Sequence, residues 1–133
     1  MIERRVIPLP PDLAIDRLTA YIFKHYATLL TDEERALDRL HLARVKSVGA
    51  AIRGGLQPEK LESFFRVDNL PKRFPALAKR LETSTVAAEM IRARDRVLRD
   101  NDIVLNKCPR CGELCLTPKA RACVDCGHTW HSD

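Results

Sequence analysis

Every cysteine of the 133-residue chain falls within residues 108–126, in the run CPRCGELCLTPKARACVDC. Four of the five form two C-x-x-C-G units: Cys108 and Cys111 followed by Gly112, and Cys123 and Cys126 followed by Gly127. This spacing constrains the C-terminus more than any other feature. Two cysteines three positions apart can aim both sulfurs at one ion, and the amide N–H groups just after the first cysteine can bond its thiolate. The glycine that follows tolerates the positive φ of such a turn. Four thiolates in two pairs make the closed, tetrahedral ligand set of a structural zinc ion. A segment of roughly 25 residues is too small to fold on apolar burial. Zinc, with about 10–16 kcal/mol of apparent binding energy, supplies what the core cannot. Removing it is expected to unfold the segment and leave the rest of the chain folded.

The units CPRCG and CVDCGHTW, with a turn around Thr117, Pro118 and Lys119 between them, resemble a zinc ribbon with rubredoxin-like knuckles. The resemblance spans residues 106–131. It implies zinc coordination by Cys108, Cys111, Cys123 and Cys126, one ion per chain. Eleven residues separate the two pairs, which implies a small β-hairpin of strands 113–116 and 120–122 with a third short strand at 129–131. It implies no activity, because ribbons serve nucleic acids, proteins and scaffolds alike. The other metal reading is iron in a rubredoxin-like electron carrier. Rubredoxins surround their iron with several aromatic side chains, whereas this segment offers Trp130.

Cys115 stands outside the pairs. Strand alternation places it opposite Leu114 and Leu116, and it reads as a small half-buried residue rather than a ligand or a nucleophile, since no base lies beside it. His128 and His131 could complete a Cys3His site, but four cysteines already stand in register. His25 and His41 fall on separate predicted helices with no third ligand at metal spacing. Four thiolates leave zinc no open position for catalysis. The H-x-E plus P-C-x-x-C deaminase pattern, a phosphate-binding glycine loop, G-x-S-x-G and H-E-x-x-H are all missing from the sequence. The chain therefore reads as non-catalytic.

Ahead of the cysteines the pattern is helical. Aromatic residues make up 5% and charged residues 31% of the chain, and Ala, Leu and Arg are frequent. Residues 1–11 read as an extended arm, because Pro8, Pro10 and Pro11 cannot serve a helix interior. Asp12 is the predicted cap of a helix over 13–30, whose apolar face is Ile15, Leu18, Ile22, Tyr26 and Leu29. Thr31 and Glu34 fit a capping box that starts a second helix, with Leu37, Leu40, Val48, Ala51 and Ile52 along one face and Gly54 and Gly55 at its end. The short join predicts an antiparallel hairpin of these two helices. A third helix is expected over 58–65, then a loop at 66–75. A helix over 75–100 follows, with a break possible near 83–85. Its apolar residues divide between two faces: Leu77, Leu81, Ala88 and Ile91 on one, Val86, Met90 and Val97 on the other. Such a helix is either sandwiched or broken. No internal repeat is evident. The expected fold is mainly α: a helical bundle or hairpin domain over 1–100, a linker over 101–107, and a small β zinc ribbon over 108–133.

The formal charge is +5. Binding Zn²⁺ through four thiolates shifts it by −2, so the balance of +3 argues only weakly for a nucleic-acid partner. Two basic clusters are the candidate phosphate contacts: Lys72, Arg73, Lys79 and Arg80, and Arg92, Arg96 and Arg99 on one helical face. The plainer reading of the second is a solvated face paired with Glu89, Asp95 and Asp100. Lys107, Arg110, Lys119 and Arg121 balance the site's charge. No apolar run reaches membrane-spanning length and no signal-peptide core precedes the first prolines, so a cytoplasmic protein is expected. The functional expectation is a zinc-binding, non-catalytic protein with DNA or RNA as partner. The alternative is a protein–protein adaptor or oligomer subunit, docking through the two-sided helix 75–100.

Overall fold

A computed structural model gives the fold and describes residues 9–53, 60 and 67–130. The predicted helix over 58–65 apart from residue 60, the Gly54–Gly55 stop, most of the N-terminal arm and the end of the third ribbon strand lie outside the described residues. Helix α1 spans Arg17–His25, α2 Asp32–Arg53, α3 Leu70–Arg73, α4 Pro75–Leu81 and α5 Val86–Asp100, with a 3-10 turn at Ala27–Leu29. The chain is mainly helical, as expected.

The first helix begins later and ends earlier than its periodicity predicts. The Pro10 carbonyl accepts from the Leu13 and Ala14 amides at 2.9 and 3.1 Å, so this stretch is spent on a turn. Asp12 does not cap α1; its carbonyl accepts from the Ala87 amide at 3.0 Å. Asp16 is the cap, its carboxylate accepting from the Thr19 amide at 3.3 Å. At the other end Tyr26 leaves helical geometry and Leu30 is extended, at ψ 146°. That bend prevents the predicted hairpin. Instead of lying along each other, α1 and α2 both pack on α5.

The capping box holds as predicted. The Glu34 amide donates to Thr31 Oγ1 at 3.1 Å, and the Thr31 amide donates to Glu34 Oε1 at 2.8 Å. The expected loop over 66–75 contains the short helix α3. The long C-terminal helix is two: α4 ends in a turn in which the Glu82 and Thr83 amides bond the Lys79 and Arg80 carbonyls, at 3.2 and 3.1 Å. Thr85 then caps α5 by accepting from the Ala88 amide at 3.0 Å. The break resets the helical phase: Leu77 and Leu81 of the first face join the second face in the core, while Ala88 and Ile91 of α5 stay half-buried outside it. Leu77 of α4 and Val86, Met90, Ala93 and Val97 of α5 are all buried together with Ile22, Leu37 and Leu40.

Candidate metal centre

The site is built on two knuckles with matching backbones. In the first, the Cys108 amide donates to the Glu113 carbonyl at 2.9 Å, the Gly112 amide to Cys108 at 2.9 Å, and the Cys115 amide to Asn106 at 2.8 Å. In the second, Cys123 donates to His128 at 2.8 Å, Gly127 to Cys123 at 2.9 Å, and Trp130 to Arg121 at 2.9 Å. Every partner is displaced by fifteen positions. The turns close at Gly112 and Gly127, with φ of 78° and 76°, where a side chain would be strained. The sequence reading missed this structural repeat, although aligning NKCPRCGELC with RACVDCGHTW would have found it.

The predicted β-hairpin is a correction. The described residues hold no strand in this segment, only isolated bridges pairing Lys107 with Leu114 and Ala122 with Thr129. Each bridge closes one knuckle on itself instead of joining the arms 113–116 and 120–122. The turn between them does form, with the Ala120 amide bonding the Thr117 carbonyl at 3.3 Å.

The four paired cysteines converge. The sulfurs of Cys108, Cys111, Cys123 and Cys126 all lie within 4.8 Å of one another, and could hold a metal ion. Cys108 Sγ is 3.7 Å from Cys126 Sγ, and Cys111 Sγ is 3.5 Å from Cys123 Sγ. A tetrahedral ion at the usual metal–sulfur length of about 2.3 Å needs sulfurs about 3.8 Å apart, so this donor set fits such an ion. The Arg110 and Cys111 amides donate to Cys108 Sγ at 3.4 and 3.5 Å. Burial pushes the Cys108 thiol up, but those two amides together with the sulfurs of Cys126 and Cys111 outweigh it and bring it down to about 7. The amide of Glu113 favours the Cys111 thiolate, yet burial and the adjoining sulfurs of Cys123, Cys108 and Cys126 push that thiol up to about 12. Four crowded sulfurs resist ionising together, and a divalent cation removes that resistance.

Cys115 is buried, at 2% exposure, and burial is the leading cause raising its thiol's pKa. It occupies in the first knuckle the position Trp130 holds in the second, which makes it packing rather than a ligand. His128 lies outside the cluster and stacks on Trp130 with centroids 5.7 Å apart. His41 is buried, its Nε2–H donating to the Leu13 carbonyl at 2.8 Å, and His25 packs edge-on against Tyr21.

The knuckles are fastened to the helices. Arg17 of α1 donates to the Leu114 carbonyl at 3.0 Å and forks onto Asp125 at 2.5 and 3.1 Å, touching both knuckles. The same guanidinium holds the Asp125 carboxyl below its ordinary range. The Asn106 amide donates to Tyr21 Oη at 3.3 Å, while its side chain donates to the Thr117 and Ala120 carbonyls at 2.9 Å each. Ile103, Leu105 and Leu114 pack on the helical core.

Of the basic candidates, Arg80, Arg92, Arg96 and Arg99 line one cavity together with Glu33, Glu34, Glu89 and Asp95. Arg96 forks onto Glu34 of α2 at 2.6 and 2.8 Å and donates to the Leu29 carbonyl at 2.9 Å. Arg80 bridges Glu33 and the buried Glu89. Arg99 meets Asp100 at 3.2 Å, and Arg92 lies 3.8 Å from Glu89. Lys72, Arg73 and Lys79 are exposed on α3 and α4. Comparison with protein-family models, with curated proteins and with solved structures found no match for this chain. No helix among the described residues is long and apolar enough to cross a membrane.

Proposed function

We propose that this chain is a non-catalytic nucleic-acid-binding module in which one structural zinc ion holds the two knuckles against a helical platform. The observation that carries the metal reading is the convergence of four sulfurs within 4.8 Å, with two amides already aimed at one of them. Four protein thiolates fill a tetrahedral ion and leave no position for water or substrate, which is the arrangement of a staple. Zinc suits this set, and a rubredoxin-like iron carrier is the other loading. Elemental analysis should return about one zinc per chain, with no iron absorption. Cys108→Ser should lose the metal and Cys115→Ser should keep it; a metal-free wild-type chain would remove the reading.

For the partner, the paired arginines shift weight away from the α5 face and onto exposed cations on the helices α3 and α4 and around the knuckles, such as Lys72, Arg73, Lys79, Arg110 and Lys119. Affinity for a labelled oligonucleotide should fall steeply with salt, as counterion release requires. A protein partner is the second reading. Val104, Val124 and Leu116 favour it, being 89%, 63% and 49% exposed. A stoichiometric partner in a pull-down, with no nucleic-acid binding at low salt, would select it.

A further inference from the structure

Two charged cavities flank α2, and their charge balance separates them. The one between α2 and α5, about 460 Å³, is lined by Arg80, Arg92, Arg96 and Arg99 and by an equal number of carboxylates, Glu33, Glu34, Glu89 and Asp95. It is neutral, and its inner arginines are bound to its own acids. The other, about 330 Å³, is lined by Asp32, Arg35, Arg39 and Arg73, three guanidinium groups against one carboxylate. Counted over the described residues, its net charge is +2. Asp32 is already engaged with Arg35, at 2.9 Å. Among the described residues, Arg39 and Arg73 have no ion pair within 4 Å, and Arg39 Nε is buried with no hydrogen-bond partner, although the Arg39 charge also acts on the neighbouring half-buried Asp38 carboxyl.

A buried, unmatched guanidinium N–H costs free energy until an acceptor arrives. The acceptor that three guanidinium groups suit is a tetrahedral oxyanion, because each planar fork can give two parallel N–H bonds to it. The pocket is also held in shape. Arg35 is steadied by donating through Nε to the Ala27 carbonyl at 3.2 Å, and Arg73 lies over the Phe74 ring, 5.2 Å from its centroid. Arg35 and Arg39 stand one turn apart on α2, so their guanidinium groups leave the same face.

We propose that Arg35, Arg39 and Arg73 form a subsite for one phosphoryl group, the point at which a nucleic-acid strand is gripped between α2 and α3. The identification of the phosphate as a strand's backbone rests on the nucleic-acid reading above; the phosphoryl chemistry does not. Sequence reading singled out Arg73 but not Arg35 or Arg39, which join it through the fold.

The test measures anisotropy of a labelled single strand and a labelled duplex across a salt series, and follows the arginine Nε–H resonances during titration with inorganic phosphate. Arg39→Ala and Arg73→Ala should each weaken the strand about tenfold and lower the salt slope by about one. Lys24→Ala, which removes a charge elsewhere, should leave the slope at its wild-type value. Arg39→Lys keeps the charge and loses the fork, so it should hold the slope while affinity drops. Phosphate should shift the Arg39 Nε–H saturably. Strand binding that ignores Arg39→Ala and Arg73→Ala, with no phosphate-induced shift, overturns the subsite and leaves the nucleic-acid reading standing. A saturable phosphate shift without strand binding keeps the subsite, as a site for a small phosphorylated molecule, and removes the nucleic-acid reading. Neither shift nor binding removes both.

Discussion

At the scale of single residues, Glu34 shows how one side chain serves two levels of structure. It closes the capping box with Thr31 and accepts a fork from Arg96, so the start of α2 and the middle of α5 share one carboxylate. Burial disfavours its charge, but Arg96 and Thr31 prevail and hold it below the ordinary value of 4.5. A carboxyl depressed on folding stabilises the fold fully above its unfolded value, and that contribution disappears as pH falls through the folded one. Glu34→Gln should therefore flatten the loss of thermal stability seen on acidifying below about pH 4.5. The capping role was legible in the pattern T-x-x-E, because it depends on neighbours along the chain. The tie to Arg96 was not, because 62 positions separate the two residues. Arg96 was a candidate phosphate contact with pairing to Glu89, Asp95 and Asp100 as the plainer reading; the i,i+4 partner Asp100 does lie 3.5 Å away, but nothing near Arg96 in the sequence pointed to Glu34.

At the scale of elements, the decisive feature is the break at residues 82–85. Apolar residues alternating between two faces signalled that one straight helix could not bury both. Sequence could not choose between a sandwiched helix and a broken one, since both explain the pattern. Thr85 decides it locally, supplying the acceptor that starts α5. Thr85→Ala should cost about 1 kcal/mol in chemical denaturation. Met90→Ala, at a site with no solvent exposure, should cost about 2–5 kcal/mol. The error over α1 and α2 has a related cause. The apolar period of residues 13–30 runs on past the helix, because Leu29 and Leu30 still face the core from a 3-10 turn and its cap. Periodicity records burial, and burial continued where the helix did not.

At the scale of the whole molecule, the cysteine segment is fastened to the helices rather than suspended from them. Arg17, Tyr21 and Asn106 cross the junction, and Ile103, Leu105 and Leu114 bury part of it. The chain has a single tryptophan, Trp130, and it belongs to the second knuckle. Under a strong chelator its fluorescence should change as the knuckles open, while the far-ultraviolet helix signal should largely persist, since none of the four cysteines belongs to the helical core. Simultaneous loss of both signals would show that the junction makes one cooperative unit of helices and knuckles.

The sequence by itself determined the convergence of Cys108, Cys111, Cys123 and Cys126, the exclusion of Cys115, the capping box and the predominance of helix. Each rests on spacing within a few residues, where backbone geometry leaves few choices. Tertiary structure decided that α1 and α2 each pack chiefly on α5, and that the knuckles close separately without a β-hairpin. It also decided which arginines are neutralised and that Arg35, Arg39 and Arg73 share a cavity. Those outcomes depend on which distant groups meet, and charge and burial are resolved only when they do.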